Sequence, residues 1–288
     1  MGSSVTRSVL ATWAVLALPC AASAGETPSA RPWSSLEESL GASFNRLGLQ
    51  NQLELSWGQP LTESRNALLA DAHLGAGFTH TLTPSYTRLG AWVEAAPLSI
   101  LVVRAGAEPS YYFGTFGSLM SFGSYDDDFS DRAREARASD ARPGSAVRFH
   151  VSPTVRMRLG SFAVASSAAL EWWASTAAGP LFYEPARDTL LKAAGDRLLL
   201  VSSVLVRERR TKGGGTIRFG LSHDLTYVMD APGNRCQKLG LVFARRLAGR
   251  HLGLPSPWLG AGVGYYLDDP TRKGQVTAGV GLSMERSR

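Results

Sequence analysis

The feature that most constrains the fold is the segment Ser145–Gly160, in which apolar and polar residues alternate along its whole length. Successive side chains of a β-strand point to opposite faces, so one face of this strand is apolar and the other is charged. A soluble sheet would pack the apolar face into a core, whereas a barrel in a membrane would turn it toward lipid. The alternation therefore predicts a strand and leaves its surroundings open.

The N-terminus has the pattern of an export signal. Arg7 is followed by the apolar stretch Val9–Pro19 and by the small residues Ala22-Ser23-Ala24. This order is typical of a secretory signal peptide, so we expect residues 1–24 to be removed before Gly25. Cys20 raises the alternative of a lipoprotein anchor, but Pro19 stands where such motifs carry a small residue.

The rest of the chain offers strands and no membrane helix. No later run approaches the ~20 consecutive apolar residues that a spanning helix needs. Only a closed barrel could then cross a membrane, because lipid offers no partner to unpaired backbone groups. The pattern predicts twelve strands, at 38–47, 49–58, 67–80, 85–95, 98–109, 146–158, 161–173, 196–209, 215–228, 235–247, 257–267 and 273–284.

The lengths of the connections support an even number of strands. The two longest, Gly114–Ser145 and Thr176–Gly195, both follow odd-numbered strands when twelve are counted. Outer-membrane barrels place long loops outside and short turns on the periplasmic side. A count of eleven would reverse this, so we predict an all-β, antiparallel transmembrane barrel of about twelve strands over 38–288. Residues 25–37 would form a periplasmic segment, and Leu36–Arg46 could alternatively be a short helix.

Cysteine content and the distribution of charge argue against a disulfide-stabilised fold and against a nucleic-acid-binding protein. Beyond the predicted signal peptide only Cys236 remains, so no internal disulfide is possible. The pI is about 9.6, but the basic residues are scattered through strands and form no nucleic-acid-binding motif. We therefore predict no nucleic-acid partner.

The final strand resembles a known signal. Thr277–Met284 alternates polar and apolar residues and is similar to the C-terminal assembly signal of Gram-negative outer-membrane β-barrels, with Leu282 where an aromatic is usual. The resemblance implies outer-membrane lipid, lipopolysaccharide and the barrel assembly machinery as partners. Gly48–Leu55 is in addition similar to outer-membrane transporter barrels grouped with aromatic-degradation pathways.

Two sequence patterns suggest catalysis. His150 and Ser152 share one strand face, and their spacing resembles the His-x-Ser pair of the outer-membrane phospholipase. In that family the pair faces lipid, whereas here it shares the arginine face. Ser222-His223-Asp224 contains the three residue types of a catalytic triad, but in a strand His223 faces away from its two neighbours, so the three cannot form one.

The first long loop carries an acidic cluster: Asp126, Asp127, Asp128 and Asp131. Such a run could hold a divalent ion at the cell surface, but its spacing matches no calcium-loop motif, and we predict no metal or other cofactor. The aromatic segment Ser110–Gly123 precedes it. That segment predicts either a loop folded into the barrel as a lid or a strand extending above the membrane.

The predicted inner face carries most of the charge. Its members are Arg88, Glu94, Arg104, Glu108, Arg148, His150, Arg156, Arg158, Glu171, Arg218 and Asp224. An excess of arginine favours anions in a pore, although a small barrel can also be filled by its own side chains. We predict a non-enzymatic narrow channel or passive transporter for small polar or anionic solutes. The alternatives are an outer-membrane lipid hydrolase, a surface-interaction barrel acting through its long loops, and a soluble periplasmic barrel.

Overall fold

The computed structural model describes residues 31–45, 48–64, 66–212, 214–231, 233–251 and 254–287. The predicted signal peptide, residues 1–24, lies outside them. Strands dominate the described part of the chain. In chain order they are β1 (Trp33–Phe44), β2 (Gly48–Pro60), β3 (His73–Leu82), β4 (Tyr86–Leu98), β5 (Leu101–Tyr112), β6 (Ser121–Phe122), β7 (Gly144–Leu159), β8 (Phe162–Ser175), β9 (Leu181–Glu184), β10 (Thr189–Lys192), β11 (Asp196–Arg210), β12 (Thr216–Val228), β13 (Arg235–Arg246), β14 (Arg250–His251), β15 (Leu254–Pro255), β16 (Trp258–Asp268) and β17 (Val276–Ser287).

Twelve of these strands close into an antiparallel barrel, which confirms the predicted fold class. Each strand pairs with the next in the order β1-β2-β3-β4-β5-β7-β8-β11-β12-β13-β16-β17, and β17 returns to β1. Closure leaves no unpaired edge, which is the condition for strands to cross a membrane. One end of the barrel carries Trp33 and Ser287, and we call it the terminal end; the other is the loop end.

The first strand is real but begins earlier than predicted. Strand β1 spans Trp33–Phe44 and not 38–47, and it is not a helix. Its neighbours explain the shift, because Ser35 pairs with Ser56 on β2 and with Ser287 on β17. These pairings provide backbone hydrogen-bond partners for residues before 38, so residues 33–37 of the predicted periplasmic segment belong to the barrel wall. Similarly, β3 begins at His73 and not at 67, because residues 66–72 form hydrogen-bonded turns.

The two faces of β7 resolve the alternation in Ser145–Gly160. Val155 is 53% exposed and Met157 is 45% exposed, whereas Arg148 is 4% exposed and Arg156 is 9% exposed. The apolar face is therefore the outside of the barrel and the arginine face is the inside.

The outer surface of the whole barrel follows the same rule. Large apolar side chains lie exposed on many strands, among them Leu40, Phe78, Val93, Phe149, Leu205, Leu241, Val263 and Val280. Contact of such an apolar belt with water is unfavourable, whereas contact with the hydrocarbon of a membrane is favourable. Neither helical segment of the described chain, Asp131–Ala136 (α1) or Ala138–Asp140, is long and apolar enough to span a membrane.

The two long loops fold back onto the barrel. Strands β6, β9 and β10 form a three-stranded antiparallel sheet, which we call the loop sheet. Phe182 and Leu191 of this sheet share one apolar cluster with inward residues of the wall, such as Tyr112 and Leu198. The loop sheet therefore packs inside the loop end of the barrel. This arrangement matches the lid alternative for Ser110–Gly123, since Phe122 is buried in the loop sheet.

Candidate functional site

The structure places all the predicted inner-face residues inside the barrel. Glu108 and Arg158 are partly buried, and the other nine are buried. They do not form one continuous row. Most of them divide into groups that lie at different levels of the lumen, each built from arginine–carboxylate pairs.

Arg104 is at the centre of the middle group. Its Nη1 lies 3.2 Å from Oε1 of Glu54, and its Nε lies 3.0 Å from Oε2 of Glu94. The guanidinium carbon also lies 3.7 Å from the ring centre of Trp92, within the range of a cation–π contact. His73 adds a contact of 3.1 Å from its Nε2 to Glu94. Arg104 is thus held on several sides.

Glu171 organises the group toward the loop end. It accepts hydrogen bonds from Arg148 at 2.7 Å, from Arg187 at 2.9 Å and from the indole N–H of Trp173 at 2.9 Å. Arg148 also pairs with Glu108. Arg187 belongs to the loop between β9 and β10, so this group joins the loop sheet to the barrel wall.

Glu184 forms a second tie between the loop sheet and the wall. This fully buried carboxylate ends β9. Arg88 Nη2 lies 3.2 Å from its Oε1, and the Tyr112 hydroxyl donates to the same oxygen at 2.8 Å. Both partners come from barrel strands. A charge buried at this depth is tolerated because it is paired and hydrogen-bonded.

The terminal end has its own group around Glu208. Arg158 Nη2 lies 2.8 Å from this carboxylate and Arg218 Nε lies 3.0 Å from it. Arg156, on the same strand as Arg158, donates from Nε to the Ser99 carbonyl oxygen at 3.1 Å instead. Within the described residues no carboxylate lies within 4 Å of Arg156, so it presents a cation without a close counter-charge.

Two predicted residues have few charged partners. Asp224 accepts a hydrogen bond of 2.9 Å from Ser202, with Lys238 Nζ at 4.0 Å. His150 Nδ1 lies 3.9 Å from Glu108 and has no hydrogen-bond partner, although the ring is buried.

Sequence reasoning missed the partners that neutralise the arginines. Glu54 alternates with Gln52 and Ser56 on β2, so the period-two pattern could have revealed it. Glu208 lies on β11, whose inner face is otherwise largely apolar. The alternation of apolar and polar residues therefore does not show which face of this strand points inward. Glu184 and Arg187 come from a loop and carry no periodic signal. With them, the arginine excess predicted for the lumen largely disappears.

A polar cavity of about 50 Å³ lies beneath the loop sheet, bordered by Arg88, Arg104, Arg148 and His150 on the wall and by Ala186 above. A cavity of this size holds a few water molecules.

The catalytic patterns do not assemble in the structure. His150 and Ser152 are buried inside the barrel, away from the lipid-facing surface. Ser222 and Asp224 are likewise inside, whereas His223 lies on the outer face, where its Nε2 is 2.9 Å from the side-chain nitrogen of Gln237.

The acidic cluster serves the local structure of its loop. Asp127 accepts hydrogen bonds from the backbone N–H groups of Gly123 and Ser124, and Asp128 accepts one from Ser130. These bonds lower the pKa of both carboxyls. Asp131 pairs with Arg272 at 2.9 Å, and Asp126 is exposed. Among the described residues, no group of three acidic, His or Cys side chains is placed to hold a metal ion.

A closed barrel with an apolar exterior and a charged interior is the architecture of a transmembrane β-barrel. The described chain has both features, and the protein is a transmembrane β-barrel of the outer-membrane type.

Comparisons with known proteins find similar solved structures and no family. No family model and no curated protein matches the chain. Similar solved structures include the β domain of the Bordetella autotransporter Brka (13% identity, TM-score 0.43, covering 88% of this chain and 98% of that one). The NanC porin is 8% identical, with a TM-score of 0.44 and coverage of 86% and 98%. LpxR from Salmonella typhimurium is 8% identical, with a TM-score of 0.41 and coverage of 87% and 99%.

Proposed function

We propose that this protein is a non-enzymatic channel for small polar or anionic solutes and that its own loop sheet keeps it closed. The observation that carries the proposal is the position of β9 and β10 inside the loop end, directly above an arginine-lined cavity. A closed wall with a charged lumen offers a polar route across lipid, and the loop sheet blocks it.

The attachment of the loop sheet is suited to a movable closure. It is built from connections and not from barrel strands, so its displacement breaks no ladder of the wall. Besides its apolar contacts, the loop sheet with its turn is joined to the wall strands by the ion pairs of Glu184 with Arg88 and of Arg187 with Glu171, and to the loop-end connections by those of Asp188 with Arg272 and of Lys192 with Asp230. Loop segments that lie outside a hydrogen-bonded barrel ladder open at lower free energy than the ladder itself.

A preference for anions follows from Arg156. This side chain faces the lumen near the terminal end, has no carboxylate within 4 Å among the described residues, and leaves its Nη1 without a hydrogen-bond partner. A guanidinium on a pore wall without a carboxylate in direct contact attracts anions and repels cations.

Planar-bilayer recordings of refolded protein test the closure. The double variant Glu184→Gln, Arg187→Gln removes one charge on the loop sheet from each tie, and we expect it to open far more often than wild type. The exposed change Asp126→Asn is the matched control and should behave as wild type. A heat-modifiable gel shift verifies that each barrel is folded.

A reversible disulfide between the loop sheet and the barrel should hold the channel closed, the opposite of the effect expected for the double variant. Thr189 on β10 donates to Asn234, in the connection between the wall strands β12 and β13, at 2.9 Å, so Thr189→Cys with Asn234→Cys, in a Cys236→Ser background, can link them. Oxidation should silence the channel and reductant should restore it. Equal conductance of tethered and untethered barrels, or a silent double variant that is folded, would refute the proposed closure.

The position of His150 and Ser152 argues against lipid hydrolysis as the function. A general base must reach the group that it deprotonates, and here both side chains are separated from lipid by the wall. We expect Ser152→Ala to leave phospholipid release by the purified barrel at its background level. A loss of lipid release in this variant would favour the hydrolase instead.

A further inference from the structure

Arginines are concentrated on one sector of the lipid-facing surface at the terminal end. Arg207 and Arg209 near the end of β11, and Arg245 near the end of β13, are exposed on the outer face. Strands β2 and β3, on the far side of the barrel, present apolar residues near this end, such as Trp57 and Leu74. Outside β11 and β13, the exposed arginines described at this end are Arg31 before β1 and Arg286 on β17, so the charge is densest on β11 and β13.

Strand register brings the three arginines together. Arg209 and Arg245 are both paired with Ile217 of β12, one from each side, so they lie at one level with a single strand between them. Neighbouring strands are about 4.8 Å apart, which puts the two Cα atoms about 10 Å apart. Two long side chains can converge across that distance on one anion. Arg207 lies one outward position closer to the centre of the belt.

Among the residues that the structure describes, these guanidinium groups have no acidic partners. No carboxylate among the described residues forms an ion pair with Arg207, Arg209 or Arg245, and Glu208 faces the lumen, where Arg158 and Arg218 hold it. The ends of the same strands and the turn add further exposed cations: Arg210, Lys212 and Arg246. A concentration of positive charge without counter-ions calls for an external anion.

The surroundings of the arginines indicate which anion. The guanidinium of Arg207 lies 6.0 Å from the ring centre of Phe162, an exposed apolar side chain on the neighbouring strand β8. The side chains thus start from the surface that contacts acyl chains, and their charged ends reach toward the membrane–water boundary, as long basic side chains do at an interface. A phosphate at this place belongs to a lipid whose acyl chains lie along the barrel.

We propose that Arg207, Arg209 and Arg245 form a binding site for the headgroup phosphate of an anionic phospholipid in the leaflet at the terminal end. Basic side chains near a membrane surface each contribute to the attraction of anionic lipid, and three of them on β11 and β13, with only β12 between, select it over zwitterionic lipid. The site is independent of the lumen and of the loop sheet.

Native mass spectrometry of the folded barrel from mixed micelles tests the site. The probes are phosphatidylglycerol and phosphatidylcholine with identical acyl chains. We expect wild type to retain phosphatidylglycerol preferentially. The triple variant Arg207→Gln, Arg209→Gln, Arg245→Gln should bind it on the order of 100-fold more weakly, since each basic residue contributes about a fivefold factor.

Matched variants separate the site from general effects of charge. The double variant Arg197→Gln, Arg235→Gln removes two exposed arginines at the loop end and should retain phosphatidylglycerol as wild type does. If the triple variant does not fold, wild type itself gives the answer: raising salt from 0.05 to 0.5 M should release phosphatidylglycerol and leave phosphatidylcholine unaffected, because surface charge is screened.

Three results would overturn the proposal. They are equal retention of the two lipids by wild type, undiminished phosphatidylglycerol on a folded triple variant, and displacement of the lipid by millimolar inorganic phosphate. The last result would show that the arginines bind a soluble anion.

Discussion

Glu171 shows how a single residue joins two parts of the molecule. The carboxylate is fully buried and accepts hydrogen bonds from Arg148 and Trp173 on the barrel wall and from Arg187 on the loop between β9 and β10. Buried ion pairs of this kind contribute little net stability by comparison with apolar packing, but removing one partner leaves the other charge unpaired.

We therefore expect Glu171→Gln to lower the free energy of unfolding by about 3–5 kcal/mol, because Arg187 and Arg148 each lose a buried carboxylate partner. Urea unfolding of the refolded barrel measures it. Asp126→Asn, an exposed change in the first long loop, should lie within about 0.5 kcal/mol of wild type. Equal stability of the two variants would show that Glu171 is dispensable.

Gly77 illustrates a close approach that supports the charged lumen. A Cβ at this position would lie 2.4 Å from the ring of Trp92 and 2.5 Å from the Leu55 carbonyl oxygen. The absence of a side chain lets Trp92 lie over β3, where Arg104 stacks on it.

Gly77→Ala should accordingly destabilise the barrel by about 1–3 kcal/mol through overpacking. The control is Gly123→Ala in the first long loop, where the nearest atom would be 3.7 Å away and no effect is expected. Urea unfolding compares both variants with wild type. A wild-type midpoint for Gly77→Ala would mean that Trp92 moves without cost.

Among the structural elements, the barrel strands could be predicted and the loop sheet could not. Lipid on one side and charge on the other impose a period of two that is visible in β7, β12 and β17. Strand β11 was harder to orient because Leu198 and Leu200 are apolar on the inner face, where they belong to the cluster that includes the loop sheet. Strands β6, β9 and β10 are only two to four residues long and are mostly buried on both faces, so they carry no alternation.

The stability of the turn before α1 should depend on pH. Backbone hydrogen bonds hold the pKa values of Asp127 and Asp128 below the usual range. A lowered pKa means that this local stabilisation is fully present above the ordinary aspartate pKa of about 3.9 and is lost as the pH falls through the lowered values.

We expect amide exchange protection of Gly123, Ser124 and Ser130 to be retained at pH 5 and to decrease below about pH 3.5, after correction for intrinsic exchange rates. In Asp127→Asn the pH dependence should vanish at Gly123 and Ser124 and persist at Ser130. Protection that does not change between these pH values would show that the carboxylates do not hold the turn.

At the scale of the whole molecule, sequence and structure agree on the wall and differ on the lumen. Strand count and loop parity follow from local pattern and membrane geometry, so they could be read from the chain. The state of the lumen depends on which loop carboxylates dock against which wall arginines, such as Glu184 against Arg88. That contact spans nearly a hundred residues and leaves no local signal. The arginine excess predicted for the inner face was therefore wrong as a description of the closed lumen.

The central claim is that β9 and β10 close a route through this barrel. The most direct test is the conductance of a variant in which residues 178–194 are replaced by a short Gly-Ser linker, recorded in planar bilayers beside wild type. We predict stepwise, anion-preferring openings for the variant and a nearly silent wild type. A variant that shows the gel shift of a folded barrel and conducts no better than wild type would contradict the account.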